Sequence, residues 1–159
     1  MRKFNWMMAA LMAFALSFAA CEKDKPGTDD PSKPQPPTPT ELTFEISVAD
    51  VTRTSAFINV TPSDLEADYL AVVYNAYSVE QYATDAELIA KIFADITSYA
   101  EGQNQTFVEY MAEHVKRGKL ENHEVGGLTQ ATNYYLLVFG VDNANEYAAS
   151  TAVKMAKFK

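Results

Sequence analysis

Few side chains in this 159-residue sequence are of a type that does covalent or metal chemistry: one cysteine, Cys21, and two histidines, His114 and His123. One cysteine cannot form an intramolecular disulfide, and so small a stock of thiol and imidazole nearly excludes zinc sites built from Cys and His. Glu121-Asn122-His123-Glu124 offers two carboxylates and an imidazole. In an extended segment residues 121 and 123 share one face while 124 points away, so a metal or hydrolytic centre there needs a further ligand, for instance His114. His114 itself falls on the apolar stripe of a predicted helix and reads as a packing residue. Asp142-Asn143-Ala144-Asn145-Glu146 clusters oxygen ligands, yet it lacks the glycine and twelfth-position glutamate of an EF-hand loop and reads as a turn between strands. There is no Gly-rich phosphate loop and no Gly-x-Ser-x-Gly elbow, and Ser78 and Ser98 have no neighbouring histidine. The expectation is a protein that is not an enzyme and carries no metal or cofactor; a hydrolase around His114, His123 and nearby carboxylates is the enzymatic alternative. Nine tyrosines remain. Their flat rings and polar tips suit carbohydrate stacking and protein contacts alike. Most fall on apolar stripes, whereas Tyr77, Tyr82 and Tyr147 lie in or beside predicted loops and are the candidate ligand contacts.

The composition is that of a globular chain, with 48% apolar and 21% charged residues, which excludes collagen, wholesale disorder and a polytopic membrane protein. Its distribution is uneven. Six of the seven prolines lie between Pro26 and Pro39, and the single tryptophan is Trp6. Arg2 and Lys3 precede an uncharged run, Trp6 to Phe18, that ends in the small residues Ala19 and Ala20. That pattern predicts a secretory signal peptide over 1–20. A transmembrane helix is the alternative, but the apolar run from Phe4 to Cys21 is barely long enough for a span of ~20 residues and carries a small-residue cleavage pattern.

Leu16-Ser17-Phe18-Ala19-Ala20-Cys21 resembles a bacterial lipobox, with Phe18 where the family usually has Leu, a relaxed form found among Bacteroidetes-type lipoproteins. The resemblance implies that Cys21 is acylated, with palmitate-type chains, and becomes the new N-terminus, so that the membrane is a partner through this lipid. Several chains on one residue make a durable anchor, since each buried methylene contributes ~0.8 kcal/mol. Glu22-Lys23-Asp24-Lys25 is similar to the charged export signal of outer-membrane surface lipoproteins. The implied location is extracytoplasmic and lipid-anchored at the outer membrane, facing the surface or the periplasm. Pro26 to Thr40 has no large apolar residue, and its prolines favour extended polyproline II. Residues 21–40 thus read as lipid site plus tether, reaching on the order of 50 Å at ~3.1 Å per residue.

Residues 41–159 hold 17 acidic against 8 basic side chains, and so acidic a domain argues against a nucleic-acid partner. Leu42, Phe44, Ile46 and Val48 alternate with polar residues, as do Ala56, Ile58 and Val60, which predicts two half-buried strands. Tyr69 to Tyr74 and Tyr134 to Val141 are apolar at nearly every position and need cover on both faces. Between them, Thr84-x-x-Glu87 and Thr106-x-x-Glu109 have capping-box spacing. Each opens a predicted helix, one with Leu88, Ile92, Ile96 and Tyr99 on its stripe and Gly102 at its end. The other carries Phe107, Val108, Met111, His114 and Val115, places Lys116 and Arg117 at its C-terminal dipole, and stops at Gly118.

Gly127-Leu128-Thr129-Gln130-Ala131-Thr132-Asn133-Tyr134 resembles the entry to strand F of fibronectin type III domains, with Gln130 in place of the family proline. The resemblance implies that Leu128 plugs the core, Thr132 begins the strand and the Tyr134 hydroxyl bonds back to the preceding loop as a tyrosine corner. Val51 to Asp64 resembles the A–B portion of the same fold, with Val60 where the family has its strand-B tryptophan. The expected class is mainly β with inserted helices: a fibronectin-III or immunoglobulin-like sandwich over 41–159, with a two-helix insertion, about 84–117, packed on one sheet. Similar domains occur in Bacteroidetes lipoproteins of uncharacterised function. The functional expectation is a non-catalytic binding or adhesion module for an unknown protein or glycan. The alternative is an accessory subunit of a glycan-uptake or secretion assembly, docking through the helical insert.

Overall fold

In a computed structural model, residues 41–159 are described; the expected signal peptide, Cys21 and the Pro-rich segment lie outside the described residues. Strands β1 (Phe44–Ala49), β2 (Ser55–Pro62) and β5 (Leu120–Gly126) form one antiparallel sheet in the order β1-β2-β5. The second sheet is built on β3 (Asp68–Asn75) and β6 (Tyr134–Asp142), with the two-residue β4 (Lys116–Arg117) beside β3. On the far side of β6 lie β7 (Ala148–Ala149) and β8 (Lys154–Phe158). The protein is a β-sandwich with a helical insertion between β3 and β4.

The doubly apolar strands have the double cover their sequences demand. Successive residues of a strand face opposite ways. On β6, Leu136 and Val138 join Phe44, Ile58, Val60 and Tyr69 in the core between the sheets. Leu137, Phe139 and Val141 turn the other way and pack with Leu88, Ile92, Ile96 and Met111 of the helices. In the core between the sheets the Phe44 and Tyr69 rings pack with centroids 5.5 Å apart. Gly140 sits where a Cβ would come within 2.6 Å of Ser150 Oγ and 2.8 Å of the Leu42 side chain, so only glycine lets those segments close over β6.

The insert departs from the sequence reading in three ways. It has three helices, α1 (Ala76–Val79), α2 (Asp85–Gly102) and α3 (Phe107–His114), and so spans 76–114 rather than 84–117. α1 is a single turn held by the Asn75 side chain, which accepts from Ser78 N–H at 2.8 Å, a signal too local to register as periodicity. Secondly, the glycines do not act as left-handed stops. Gly102 is the last residue of α2 as expected, but the left-handed turn falls two residues later at Asn104 (φ 59°), and Gly118 (φ 72°) lies beyond β4 rather than at the end of α3. Thirdly, α3 ends at His114, and Lys116 and Arg117 leave the helix to pair as β4 with Tyr69 and Asp68. A bidentate bond explains the capture: the Arg117 guanidinium reaches Asp68 Oδ1 through Nη2 at 2.8 Å and Nε at 2.9 Å. Both capping boxes form as spaced, each threonine hydroxyl accepting from the glutamate N–H three residues on at 3.3 Å.

Candidate functional site

A groove that gathers aromatic and polar groups lies where the insert meets β3. It encloses about 370 Å³ and is lined by Val72, Val73, Tyr74, Asp95, Ile96, Tyr99 and Tyr110. Heptad-like spacing on α2 puts Ile92 and Ile96 against the sheet and leaves Tyr99 on the rim, 58% exposed, rather than in the core that its stripe implied. Tyr99 meets the Tyr110 ring of α3 edge to face at 5.6 Å, and Tyr110 stacks on His114 with centroids 3.8 Å apart and planes 7° from parallel. This stack continues the aromatic surface away from the groove. His114 is therefore exposed, not buried on the stripe, and its Nδ1 lies 2.8 Å from the Tyr110 carbonyl. The Tyr74 hydroxyl donates to Asp95 Oδ2 at 3.1 Å, and Asp95 is also paired with Lys91 one turn earlier.

The electrostatics keep these phenols neutral. Burial, and then the Asp95 carboxylate, push Tyr74 well above the ordinary tyrosine range. Burial, with Tyr99 adding to it, raises Tyr110 as well. Both stay protonated donors throughout the physiological range. The groove thus offers ring faces, phenol hydroxyls and one carboxylate.

One wall of the groove is an open strand edge. Ala76 N–H donates to the Asn133 carbonyl at 2.8 Å, in register with the β3–β6 ladder. Hydrogen-bonded and non-hydrogen-bonded pairs alternate in an antiparallel ladder. Residues 70, 72 and 74 therefore bond to β6, and the backbone groups of Ala71 and Val73 face the opposite edge. β4 covers that edge only at Asp68 and Tyr69, and no other described strand pairs with it.

The remaining residues singled out in the sequence are spread over the molecule. Tyr77 lies on α1, not in a loop, and is 79% exposed over a small cleft with Asn75, Glu80, Thr132 and Asn133. Tyr82 and Tyr147 are half-buried against the helix-side core, Tyr147 with a left-handed φ of 62°. Tyr134 pairs with Asn75 across the β3–β6 ladder; its hydroxyl accepts from Thr129 N–H at 2.9 Å, and Leu128 is buried. Thr132 precedes the strand, which starts at Tyr134 because Ala131 turns left-handed (φ 60°) just before it. These residues, with Val51, Arg53, Phe158 and Lys159, border a cleft of about 410 Å³. His123 is exposed on β5, in the sheet away from the insert, so the two histidines sit in different layers of the fold. Among the described residues no group of three or more His, Cys, Asp or Glu is placed to hold a metal ion, and no helix is long and apolar enough to cross a membrane. Asp142 to Glu146 forms a turn in which Asp142 Oδ1 accepts from Ala144 N–H at 3.0 Å and Asn143 donates to Asp68 at 2.8 Å.

No family model matches the sequence, and no curated protein matches it. A solved structure similar to this chain is the sensor domain of the anti-sigma factor RsgI4 in Pseudobacteroides cellulosolvens. It is 14% identical, covers 76% of this chain and 96% of that one, and has a TM-score of 0.33. A likeness at that level carries no argument about function.

Proposed function

We propose that the chain is a non-catalytic binding module, tethered outside the cytoplasm at the outer membrane by acylated Cys21, in the manner of Bacteroidetes lipoproteins. The groove between the insert and β3 is its contact surface. The observation that carries this reading is the aromatic lining of that groove by Tyr74, Tyr99 and Tyr110, three tyrosines from three separate elements converging beside an uncovered strand. Buried apolar surface needs no such display, and aromatic rings left at a concave rim are what contact surfaces use.

Two measurements test the two halves. Metabolic labelling with radioactive fatty acid should mark the wild-type protein and not a Cys21→Ser variant; equal labelling would remove the anchor. Affinity purification from crosslinked cells should recover a reproducible protein or glycan with wild type that is lost with Tyr99→Ala. Retention of the same partner by Tyr99→Ala would move the contact surface elsewhere. The accessory-subunit reading docks through the helical insert, on which Val108 and Tyr99 are exposed, and a stoichiometric envelope protein in that eluate would favour it.

A further inference from the structure

We propose that the occupant of the groove is an extended segment of another polypeptide, added as a strand to the open edge of β3. This rests on the groove being the contact surface, and it names how the contact is made. The edge presents the N–H and C=O groups of Ala71 and Val73, which no other described strand takes up. Such a row is complementary to another extended backbone and to little else, because it repeats the spacing of a ladder. The flanking walls supply the pockets for side chains: Ile96 and Tyr99 on the helical side, and Tyr74 with Tyr110 further along.

The edges at β5 and β8 are defended, and this one is not. β5 exposes Glu121 and Glu124, carries Asn122 at φ 48° and shifts register between Ile58 and Val60 of β2. β8 exposes Lys154 and Lys157. Charges and bulges of this kind are how sheets prevent unwanted pairing. Leu70 to Tyr74 contains no charge, no proline and no bulge. An unguarded edge beside an aromatic groove is the arrangement expected where pairing is wanted.

Charge selects among occupants. Residues 41–159 carry 17 acidic against 8 basic side chains, so pairing two copies edge to edge brings two strongly negative bodies together. The chain's own segment 26–40 is a poor donor, with six prolines that lack an N–H. A neutral or basic segment from a different protein meets neither obstacle, and the net negative charge of residues 41–159 favours it.

The test uses the mature lipoprotein in detergent and a phage-displayed library of random dodecapeptides as probe, followed by synthetic copies of the selected peptide. N-methylation at alternate peptide residues should weaken binding about tenfold each, with the intervening positions unaffected, since only every second amide faces β3. Val73→Pro, which removes an edge-facing N–H and leaves the bonds to β6, should weaken it similarly; the N-methyl scan leaves the protein unaltered should that variant misfold. Tyr99→Ala should also reduce binding. Loss with Tyr99→Ala but indifference to every N-methyl group and to Val73→Pro would overturn strand addition while leaving the groove as the contact surface. Indifference to all three, or no selected binder, would overturn both. A dimer by sedimentation that Val73→Pro abolishes would show that a second copy is the occupant and overturn the heterologous one.

Discussion

Tyr134 shows how a single hydroxyl can fix a crossing. Its bond from Thr129 N–H ties the β5–β6 connection to the first residue of β6 while Leu128 is held in the core. Tyr134→Phe keeps the ring against Phe158 and loses only that bond. The expected cost is about 1 kcal/mol, since Thr129 is exposed and water can take over its amide. A melting curve should show Tm lower by a few degrees with the spectrum unchanged. This corner was legible in the sequence because Leu128, Thr132 and Tyr134 are six residues apart and their meaning is local. The groove tyrosines were not legible. Tyr74, Tyr99 and Tyr110 come from β3, α2 and α3; Tyr74 and Tyr99, read in their own apolar runs, belong to a core, and Tyr110 lies off the predicted stripe of its helix. The loop tyrosines Tyr77, Tyr82 and Tyr147 drew attention for the opposite reason, and none of them lines that groove.

At the scale of elements, the two capping-box helix starts and the end of α2 at Gly102 were readable, whereas α1 and the end of α3 were not. A capping box is written in four consecutive residues, and both formed at the expected threonines. The C-terminal end of α3 depended on Asp68, whose bond to Arg117 spans 49 positions and outweighs a favourable dipole. Glu109 gives the start of α3 a pH signature. The Thr106 backbone N–H, and then the Thr106 hydroxyl, bond its carboxylate and hold it below the ordinary value of 4.5. A carboxyl depressed by folding stabilises the native state above its unfolded pKa and stops doing so as pH falls through the lower, folded value. Glu109→Gln should therefore have a lower Tm than wild type at neutral pH, and the gap should close as acid protonates Glu109 in the wild type. A gap that stayed constant down through the acid range would mean that shape, not charge, makes the cap. Thr106→Ala should cost about 1 kcal/mol at neutral pH.

For the whole molecule, one sheet serves two cores. Leu136 and Val138 face the first sheet while Leu137 and Phe139 face the helices, so neither core exists without β3 and β6. The sandwich and its helical layer should unfold together. Ile92→Ala in the helical layer and Ile58→Ala between the sheets should each cost 2 to 5 kcal/mol, roughly. In both variants the helical and tyrosine signals should fall at one temperature; separate transitions would mean that the insert is an independent unit. The continuous apolar runs Tyr69 to Tyr74 and Tyr134 to Val141 announced this double burial, whereas the sheet order, set by long-range pairing, came only with the structure. The same arrangement sets a hazard for the newly made chain. Tyr134 to Val141 has eight residues without charge or proline, shielded only once partners from both sides have arrived. Until then the segment is a candidate seed for aggregation, and a chaperone that binds it would protect the chain through its most vulnerable interval.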